Sequence, residues 1–313
     1  MVAIVSPYDN SLAYPYDIFY NYNRAVAPPN PIYYGVWNIT NNATVPLYYQ
    51  YVSTVTLASG STASISGVTT NLGAINPSTN SGFKFIQIAN ITANPSAMEI
   101  EKISITINRY TDSGYSNLFD TFTYPTINLH MYSDALSSVT VQETDNFAGN
   151  SLNGWAMTEA VSGKTIFNTS NEYYFDATSG YSLYYDTVNS NPISSYNIYK
   201  SFTPSSSATD SILELYIFMN ALNIGSSPPF YIPINVNANG SNYLYVYSYS
   251  TATASGKYFS ICPVKLIPGV SNTVSIGGGY YNNLGLLPGL SWESTVILYL
   301  GWVRLLYITS GTF

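Results

Sequence analysis

Two pairs of carboxylates stand at alternate positions of the sequence, and such pairs can carry out acid/base chemistry. Glu99 and Glu101 face the same way if the chain is extended there, and so do Glu143 and Asp145. Paired carboxylates can cleave a glycosidic bond, with their separation setting the outcome. Lys102 and a plainly alternating stretch follow the first pair, which favours a solvated sheet edge over catalysis. For the second pair, a calcium ion or a fold-specific hydrogen bond is the better interpretation.

The other reactive side chains are one histidine and one cysteine, His130 and Cys262. A Ser-His-Asp triad would need His130, but no G-x-S-x-G motif accompanies it, and a histidine metal site would need more partners. We interpret it as a structural, partly exposed histidine. Cys262 has no histidine or cation nearby in sequence, which indicates a buried, inert thiol. The glycines at 277–279 lack the Lys-Ser/Thr of a phosphate loop. We therefore predict no enzymatic activity and no cofactor.

The composition favours an all-β fold and an assembled protein. The chain has 32 tyrosines among 313 residues, only 8% charged residues and a net charge of −7. Ser, Thr, Asn, Tyr, Val and Ile dominate, which favours strands and turns over helices. Nine Lys and Arg residues scattered along the chain form no basic patch, which excludes nucleic acid as a partner. Few charges also leave little repulsion to keep copies apart, and tyrosine suits surfaces that meet other surfaces.

We expect neither a leader nor a membrane span in this sequence. The opening MVAIVSPYDN lacks a positive n-region and has a short apolar run, so we do not expect a signal peptide. The best span candidate, Thr295 to Ile308, is shorter than roughly 20 residues and is interrupted by Arg304. Its β-branched and aromatic content predicts one or two buried strands instead.

Residues 1–31 are predicted to be an extended N-terminal arm, because prolines interrupt them repeatedly. The segment is either an ordered strap across its own domain or an arm that lies on a neighbouring subunit. In the second case its aromatic residues form an interface: Tyr8, Tyr14, Tyr16, Phe19, Tyr20 and Tyr22.

Two tandem β-sandwich domains of jelly-roll type are predicted to follow the arm, at 32–138 and 139–313. In the first, Ile103, Ile105 and Ile107 alternate with polar residues, as in a half-buried strand. The polar stretch from Ser133 to Ser138 marks the boundary. In the second, Ser211 to Leu222 has helical propensity but its Ile, Leu, Tyr and Phe content favours a strand. The predicted strands of that domain are 164–168, 182–187, 195–203, 211–219, 230–236, 242–250, 258–267, 272–277 and 295–308.

A stripe of tyrosines is predicted on one face of the strand at 242–250. Its members are Tyr243, Tyr245, Tyr247 and Tyr249. Leu244 and Val246 point oppositely, so we expect their face to meet the core. The stripe then contacts protein, contacts sugar, or is buried with its hydroxyls at a rim. Its length of roughly 20 Å favours an extended protein contact, and we predict these tyrosines as interface residues.

The second half resembles the jelly-roll domains of carbohydrate-binding modules and of lectin-like or viral surface modules. The segments that carry this are Asp145 to Trp155 (DNFAGNSLNGW), Ser179 to Tyr184 (SGYSLY) and Tyr299 to Leu305 (YLGWVRL). Such modules often hold a structural calcium, and the resemblance implies Asp145, Glu172 and Asp176 as candidate ligands. The last strand departs from the pattern, because Gly301, Trp302 and Arg304 stand where acids would be expected.

The whole chain also resembles, in composition and architecture, capsid and turret proteins of viruses that infect hyperthermophilic, acid-loving archaea. This implies a virion structural protein (a capsid, penton-base, turret or spike component) located in the virion. Its partners would be copies of itself and other capsid proteins. The alternative is a carbohydrate-binding attachment or cell-surface filament protein with a lectin-like jelly roll, extracellular at the cell surface, with host-surface glycans as its partners.

Overall fold

The regular secondary structure of this protein, seen in a computed structural model, is β-strand throughout the described residues. These residues are 2–4, 17–23, 30–37, 39–79, 81, 84–147, 153–158, 165–170, 182–187, 197–221, 230–239, 241–249, 257–278 and 296–313. β-Branched and aromatic side chains pack well on a pleated, half-buried surface, which is why this composition forms sheets. The predicted all-β fold is confirmed.

The chain divides into two compact units, each described here by itself. The N-terminal unit contains Ala3–Tyr8, Tyr14–Leu136 and Phe313, and the C-terminal unit contains Met1–Val2, Asp9–Ala13 and Ser137–Thr312. The principal division falls between Leu136 and Ser137, within the polar stretch proposed as the boundary.

The N-terminal unit has two sheets. Its strands are β1 (Val2–Ile4), β2 (Asp17–Asn21), β3 (Asn30–Trp37), β4 (Leu47–Thr56), β5 (Ser64–Ser66), β6 (Thr69–Ile75), β7 (Lys84–Ala93), β8 (Glu99–Tyr110), β9 (Leu118–Thr123) and β10 (Ile127–Tyr132). One sheet has the order β1–β3–β7–β5, and the other has the order β2–β10–β8–β4–β6 with β9 also paired to β8. Strand β2 runs parallel to β10. The residues of β2, assigned above to the arm, therefore form a strand of this unit, as the strap alternative describes.

The core of the N-terminal unit lies between its two sheets. The core side chains come from β3 and β7 on one side and from β2, β4, β8 and β10 on the other: Ile18, Ile32, Tyr51, Ile86, Ile88, Ile91, Ile103, Ile105, Ile127, Leu129 and Met131. Along β8, Ile103 and Ile105 are buried while Lys102 is exposed. The alternation predicted from the sequence is thus present in this strand. Two sheets that pack face to face around one core form a β-sandwich.

The C-terminal unit also has two sheets. Its strands are β11 (Thr140–Asp145), β12 (Ala156–Thr158), β13 (Thr165–Ser170), β14 (Ser182–Thr187), β15 (Asn197–Phe202), β16 (Asp210–Ala221), β17 (Phe230–Ala238), β18 (Ser241–Tyr249), β19 (Lys257–Leu266), β20 (Asn272–Gly278) and β21 (Val296–Ile308). One sheet has the order β12–β15–β20–β17–β18, and the other has the order β13–β14–β21–β16–β19 with β11 also paired to β21. Every strand predicted for this region is present.

Strand β16 forms although its sequence has helical propensity, and its position in the sheet explains why. It lies between β19 and β21, and the consecutive residues Ile212 to Tyr216 are all buried. A strand buried on both faces reads as a continuous apolar run, and period alone cannot distinguish it from a buried helix. Cys262 on β19 is buried opposite Leu215, as predicted.

Candidate functional site

An exposed apolar cluster lies on β9, an edge strand of the N-terminal unit. Within the described residues, β9 pairs with the C-terminal half of β8 alone. Three of its side chains are about half exposed: Leu118 at 57%, Phe119 at 49% and Phe122 at 52%. Scattered exposed apolar side chains are ordinary, but a contiguous group on an edge strand marks an interaction surface.

Arg109 of β8 is fixed beside the two phenylalanines. Its Nε donates to Asp120 Oδ1 at 2.5 Å, and its Nη2 donates to Asp120 Oδ2. The Arg109 Cζ lies 5.4 Å from the centroid of the Phe119 ring and 4.7 Å from that of Phe122. Hydrogen bonding to Asp120 raises the pKa of Arg109, against an opposing effect of burial. We call Leu118, Phe119, Phe122, Arg109 and Asp120 the aromatic edge.

A β-bulge brings the two rings to the same guanidinium. Asp120 pairs with Arg109 and Leu118 pairs with Tyr110, so Phe119 is an extra residue in β9. Phe119 and Phe122 are three apart, and in a regular strand they would point to opposite faces. No sequence pattern marks these residues as a group, since strand alternation alone would separate the two rings.

The carboxylates Glu99 and Glu101 bind a turn of their own unit. Glu101 Oε2 accepts from the Ala58 amide at 2.5 Å. Glu99 accepts from Ser61 Oγ at 2.6 Å and from the Thr62 amide at 2.9 Å. Burial tends to raise the pKa of Glu99, but the hydrogen bonds from Ser61, Thr62 and Ala63 together lower it. The expected solvated edge is wrong for Glu101, which is completely buried because the turn covers it.

His130 is also held by its own unit. Its Nε2 lies 2.8 Å from Asp17 Oδ1, and its Nδ1 contacts the Phe313 carbonyl oxygen. The Phe19 ring lies 4.7 Å away, centroid to centroid. The histidine is buried, so the expectation of partial exposure is wrong. His130 is opposite Phe19 of β2 in the sheet. The alternation of residues within β10 does not reveal this pairing.

Three of the six residues of the predicted arm interface lie within the described residues. Tyr8, Tyr14 and Tyr16 lie outside the described residues. Phe19 is buried in the N-terminal unit. Burial raises the pKa of Tyr20 to about 12, with the Asn30 side chain acting in the opposite direction. The Tyr22 hydroxyl donates to the Ala97 carbonyl at 3.5 Å. Phe19, Tyr20 and Tyr22 therefore contact their own unit, and an intersubunit role for any of the six stays a prediction.

The tyrosine stripe falls on β18, whose backbone register with β17 is continuous. Tyr243 is opposite Val236, which is itself opposite Ile276, and both of these are buried. The side chains of Tyr243, Tyr245, Tyr247 and Tyr249 lie outside what the structure describes. An interface role for the stripe stays a prediction.

Asp145 organises the turn after β11. Its Oδ1 accepts from the Phe147 amide at 3.3 Å and from Asn153 Nδ2, and its Oδ2 accepts from Trp155 Nε1 at 3.1 Å. Phe147 and Asn153 adopt φ values of 54° and 49°, the left-handed conformation that reverses the chain. Three positions of the jelly-roll-like opening segment therefore converge on one carboxylate.

The calcium candidates are not brought together in the described residues. Glu172 and Asp176 lie outside them, and no group of three or more His, Cys, Asp or Glu side chains that could hold a metal occurs within them. Asp145 is occupied by protein donors, including the Lys200 ammonium at 3.2 Å. Asp145 is thus a poor fit for a calcium ligand.

A shallow depression of about 590 Å³ lies on the C-terminal unit, and we call it the polar depression. Its lining residues are Gln142, Thr203, Pro204, Ser205, Ser206, Gly269 and Tyr307. Gln142 is fixed there, since its Nε2 donates to the Thr203 carbonyl at 2.9 Å and its Oε1 accepts from the Ser205 amide at 2.7 Å. The lining is uncharged and offers one aromatic ring, that of Tyr307.

Among the described residues, no helix has the length and apolar character needed to cross a membrane.

Comparisons with known proteins give distant structural similarities. No protein-family model and no curated protein matches the chain. The K1 cleaved adhesin domain of Lys-gingipain from Porphyromonas gingivalis W83 is 12% identical, with a TM-score of 0.34 over 52% of this chain and 96% of that one. The N-terminal CBM22-1–CBM22-2 tandem domain of Paenibacillus barcinonensis Xyn10C is 8% identical, with a TM-score of 0.34 over 88% and 83%. A family 35 carbohydrate-binding module from Clostridium thermocellum is 12% identical, with a TM-score of 0.27 over 48% and 90%.

Two of the three structures are carbohydrate-binding modules, and none of the three is a viral capsid or turret protein. At such TM-scores they support no argument about function, which has to rest on the residues of this chain.

Proposed function

We propose that this chain is a non-enzymatic attachment protein that binds carbohydrate through the aromatic edge. The observation that carries the proposal is the pair of half-exposed rings, Phe119 and Phe122, whose centroids lie 5.4 Å and 4.7 Å from Cζ of the fixed Arg109. The cellular location that suits this role is the extracellular surface.

The chemistry of the aromatic edge matches that of a sugar. A sugar ring presents an apolar C–H face and a rim of hydroxyls, and the exposed rings offer an apolar surface of similar size. The Asp120 side chain is 37% exposed, so its carboxylate is open to hydroxyl donors. Arg109 and Asp120 neutralise each other, which suits an uncharged ligand better than an ionic one.

The absence of catalysis is part of the proposal. The carboxylates that could act as acid and base, Glu99 and Glu101, are both engaged by the turn at 58–63. His130 is engaged by Asp17 and Phe313. These contacts give each group a structural role and leave the exposed rings as the surface available to a ligand.

Phe122→Ala should weaken glycan binding about tenfold, because one stacked ring contributes about 1.4 kcal/mol. Glycan arrays would identify the ligand, and titration calorimetry would measure its affinity for the wild type and the variant. Ile267→Ala is the matched control, since Ile267 is 56% exposed on the C-terminal unit and should leave binding unchanged. Binding that survives Phe122→Ala but is lost in Tyr307→Ala would place the sugar in the polar depression and overturn the assignment to the aromatic edge.

A subunit of a virion is the second candidate function, with copies of this chain and other capsid proteins as partners. The observation in its favour is that β9 is an edge strand with exposed apolar side chains. Such an edge accepts a strand from a neighbouring molecule, and its main-chain groups supply the hydrogen bonds.

Leu118→Lys should separate the two candidates, because a charge on an edge strand opposes strand addition. If the chain is an assembly subunit, light scattering at high concentration should show oligomers for the wild type and monomers for the variant. A wild type that stays monomeric under these conditions would count against the virion role.

A further inference from the structure

The ammonium of Lys200 lies within ion-pair distance of two carboxylates of β11. Its Nζ is 2.9 Å from Glu143 Oε1 and 3.2 Å from Asp145 Oδ2. Lys200 is on β15 and the carboxylates are on β11, which belongs to the other sheet of the C-terminal unit. The Lys200 side chain is 13% exposed and that of Asp145 is 2% exposed. This lysine therefore links the two sheets by a mostly buried ion pair.

The hydrogen-bonding capacity of Asp145 is fully used. An ionised carboxylate has about four lone-pair sites, and Asp145 accepts from four donors. Three are the neutral N–H groups of Phe147, Asn153 and Trp155, and the fourth is Lys200. A metal ion could bind Asp145 only by displacing one of these donors, and Lys200 is the only cation among them.

The Lys200 ammonium also offsets the negative charge of Glu143 and Asp145. Two adjacent carboxylates repel each other and attract a hard cation, which coordinates oxygen ligands. Burying Asp145 without a counter-ion would be strongly destabilising. The Phe202 ring also attracts the ammonium, since its centroid lies 5.0 Å from Lys200 Nζ.

We propose that Lys200 is the built-in counter-ion of the Glu143–Asp145 position, so that this position needs no metal, and that removing the ammonium converts it into a divalent-cation site. The proposal is independent of the proposed function, since it concerns neither the aromatic edge nor an assembly contact.

The test is a comparison of the full-length wild type with Lys200→Ala, using Tb³⁺ and Ca²⁺ as probes. The wild type should melt at the same temperature in EDTA and in about 1 mM Ca²⁺, a concentration that fills weak calcium sites. Lys200→Ala should melt roughly 10 °C lower in EDTA, because it leaves a buried carboxylate without its counter-ion. Ca²⁺ should restore much of this loss, and Tb³⁺ should show emission sensitised by Trp155, whose Nε1 lies 3.1 Å from Asp145 Oδ2.

Three further variants keep the test decisive. Lys200→Arg retains a cation and should behave as the wild type, without a Tb³⁺ signal. Lys265→Ala removes another lysine paired with an aspartate in the same unit, Asp210, and should gain no Tb³⁺ signal. If Lys200→Ala does not fold in EDTA, folding that appears on addition of Ca²⁺ still supports the proposal. A wild type stabilised by Ca²⁺ in a way that Asp145→Asn abolishes, or a folded Lys200→Ala without a Tb³⁺ response, would overturn it.

Discussion

Gly67→Ala should destabilise the N-terminal unit by roughly 3 kcal/mol or more, because the added methyl group has no space. A Cβ at this position would lie 2.0 Å from the Ser53 carbonyl oxygen and 2.8 Å from its carbon. Both are backbone atoms of β4, so no side-chain rotation relieves the clash. The approach is this close because the Ser53 amide donates to the Val68 carbonyl and the Val68 amide donates to Ser53 Oγ, each at 2.8 Å. Alanine has to break this pair of bonds.

The measurement for Gly67→Ala is thermal melting of the full chain, with a fall of roughly 10 °C expected in the transition of the N-terminal unit. Gly60→Ala is the matched control. Its φ of 81° is strained for alanine, but a Cβ there meets no atom within 4 Å. That variant should cost only about 1 kcal/mol. A loss in Gly67→Ala no larger than that in Gly60→Ala would contradict the proposed clash with Ser53.

Asn272→Asp should destabilise the C-terminal unit by roughly 3 kcal/mol at neutral pH, although the two side chains have nearly the same shape. Asn272 is completely buried. Its Nδ2 lies 2.7 Å from the Val270 carbonyl and 3.0 Å from the Ile267 carbonyl, while its Oδ1 accepts from the Ile267 amide at 2.8 Å. A carboxylate would turn an acceptor towards these carbonyl acceptors and would be buried without a cation described beside it.

The loss in Asn272→Asp should depend on pH in a defined direction. The folded state favours the protonated acid, so the pKa of the new aspartate is raised on folding. Stability relative to the wild type should therefore be regained below about pH 4, the unfolded value, and lost as the pH rises. Melting temperatures between pH 3 and 8 would test this. Asn42→Asp, at an exposed position, should show no such trend. A penalty for Asn272→Asp that stays constant with pH would contradict the proposed role of the Asn272 amide donors.

The strands were predictable from the sequence because they depend on local pattern. Ile103 and Ile105 alternate with polar residues, and Asp210–Ala221 is too rich in apolar residues to expose a face. Strand period and residue size are properties of the nearest few positions, so one sequence is enough to read them.

The candidate sites were less predictable because they depend on register and on distant pairing. Phe119 meets Arg109 through a bulge, which depends on how β8 and β9 align. Lys200 meets Asp145 across 55 positions, and nothing adjacent to either residue indicates the other. The sequence around Glu101 predicts a solvated carboxylate. In the structure the turn at 58–63 covers this side chain and buries it.

The parallel pairing of β2 with β10 has a consequence for synthesis. Asp17 is opposite Asn128 and Asn21 is opposite Tyr132, so β2 has no partner in this sheet until β10 has been made. At ribosomal rates the wait is on the order of 10 s, and closing so long a loop is itself slow. During that time Ile18 and Phe19, both buried in the finished unit, lie on a strand without its sheet partner. The nascent segment 17–21 is thus a natural target for a chaperone, and this strand joins its sheet late.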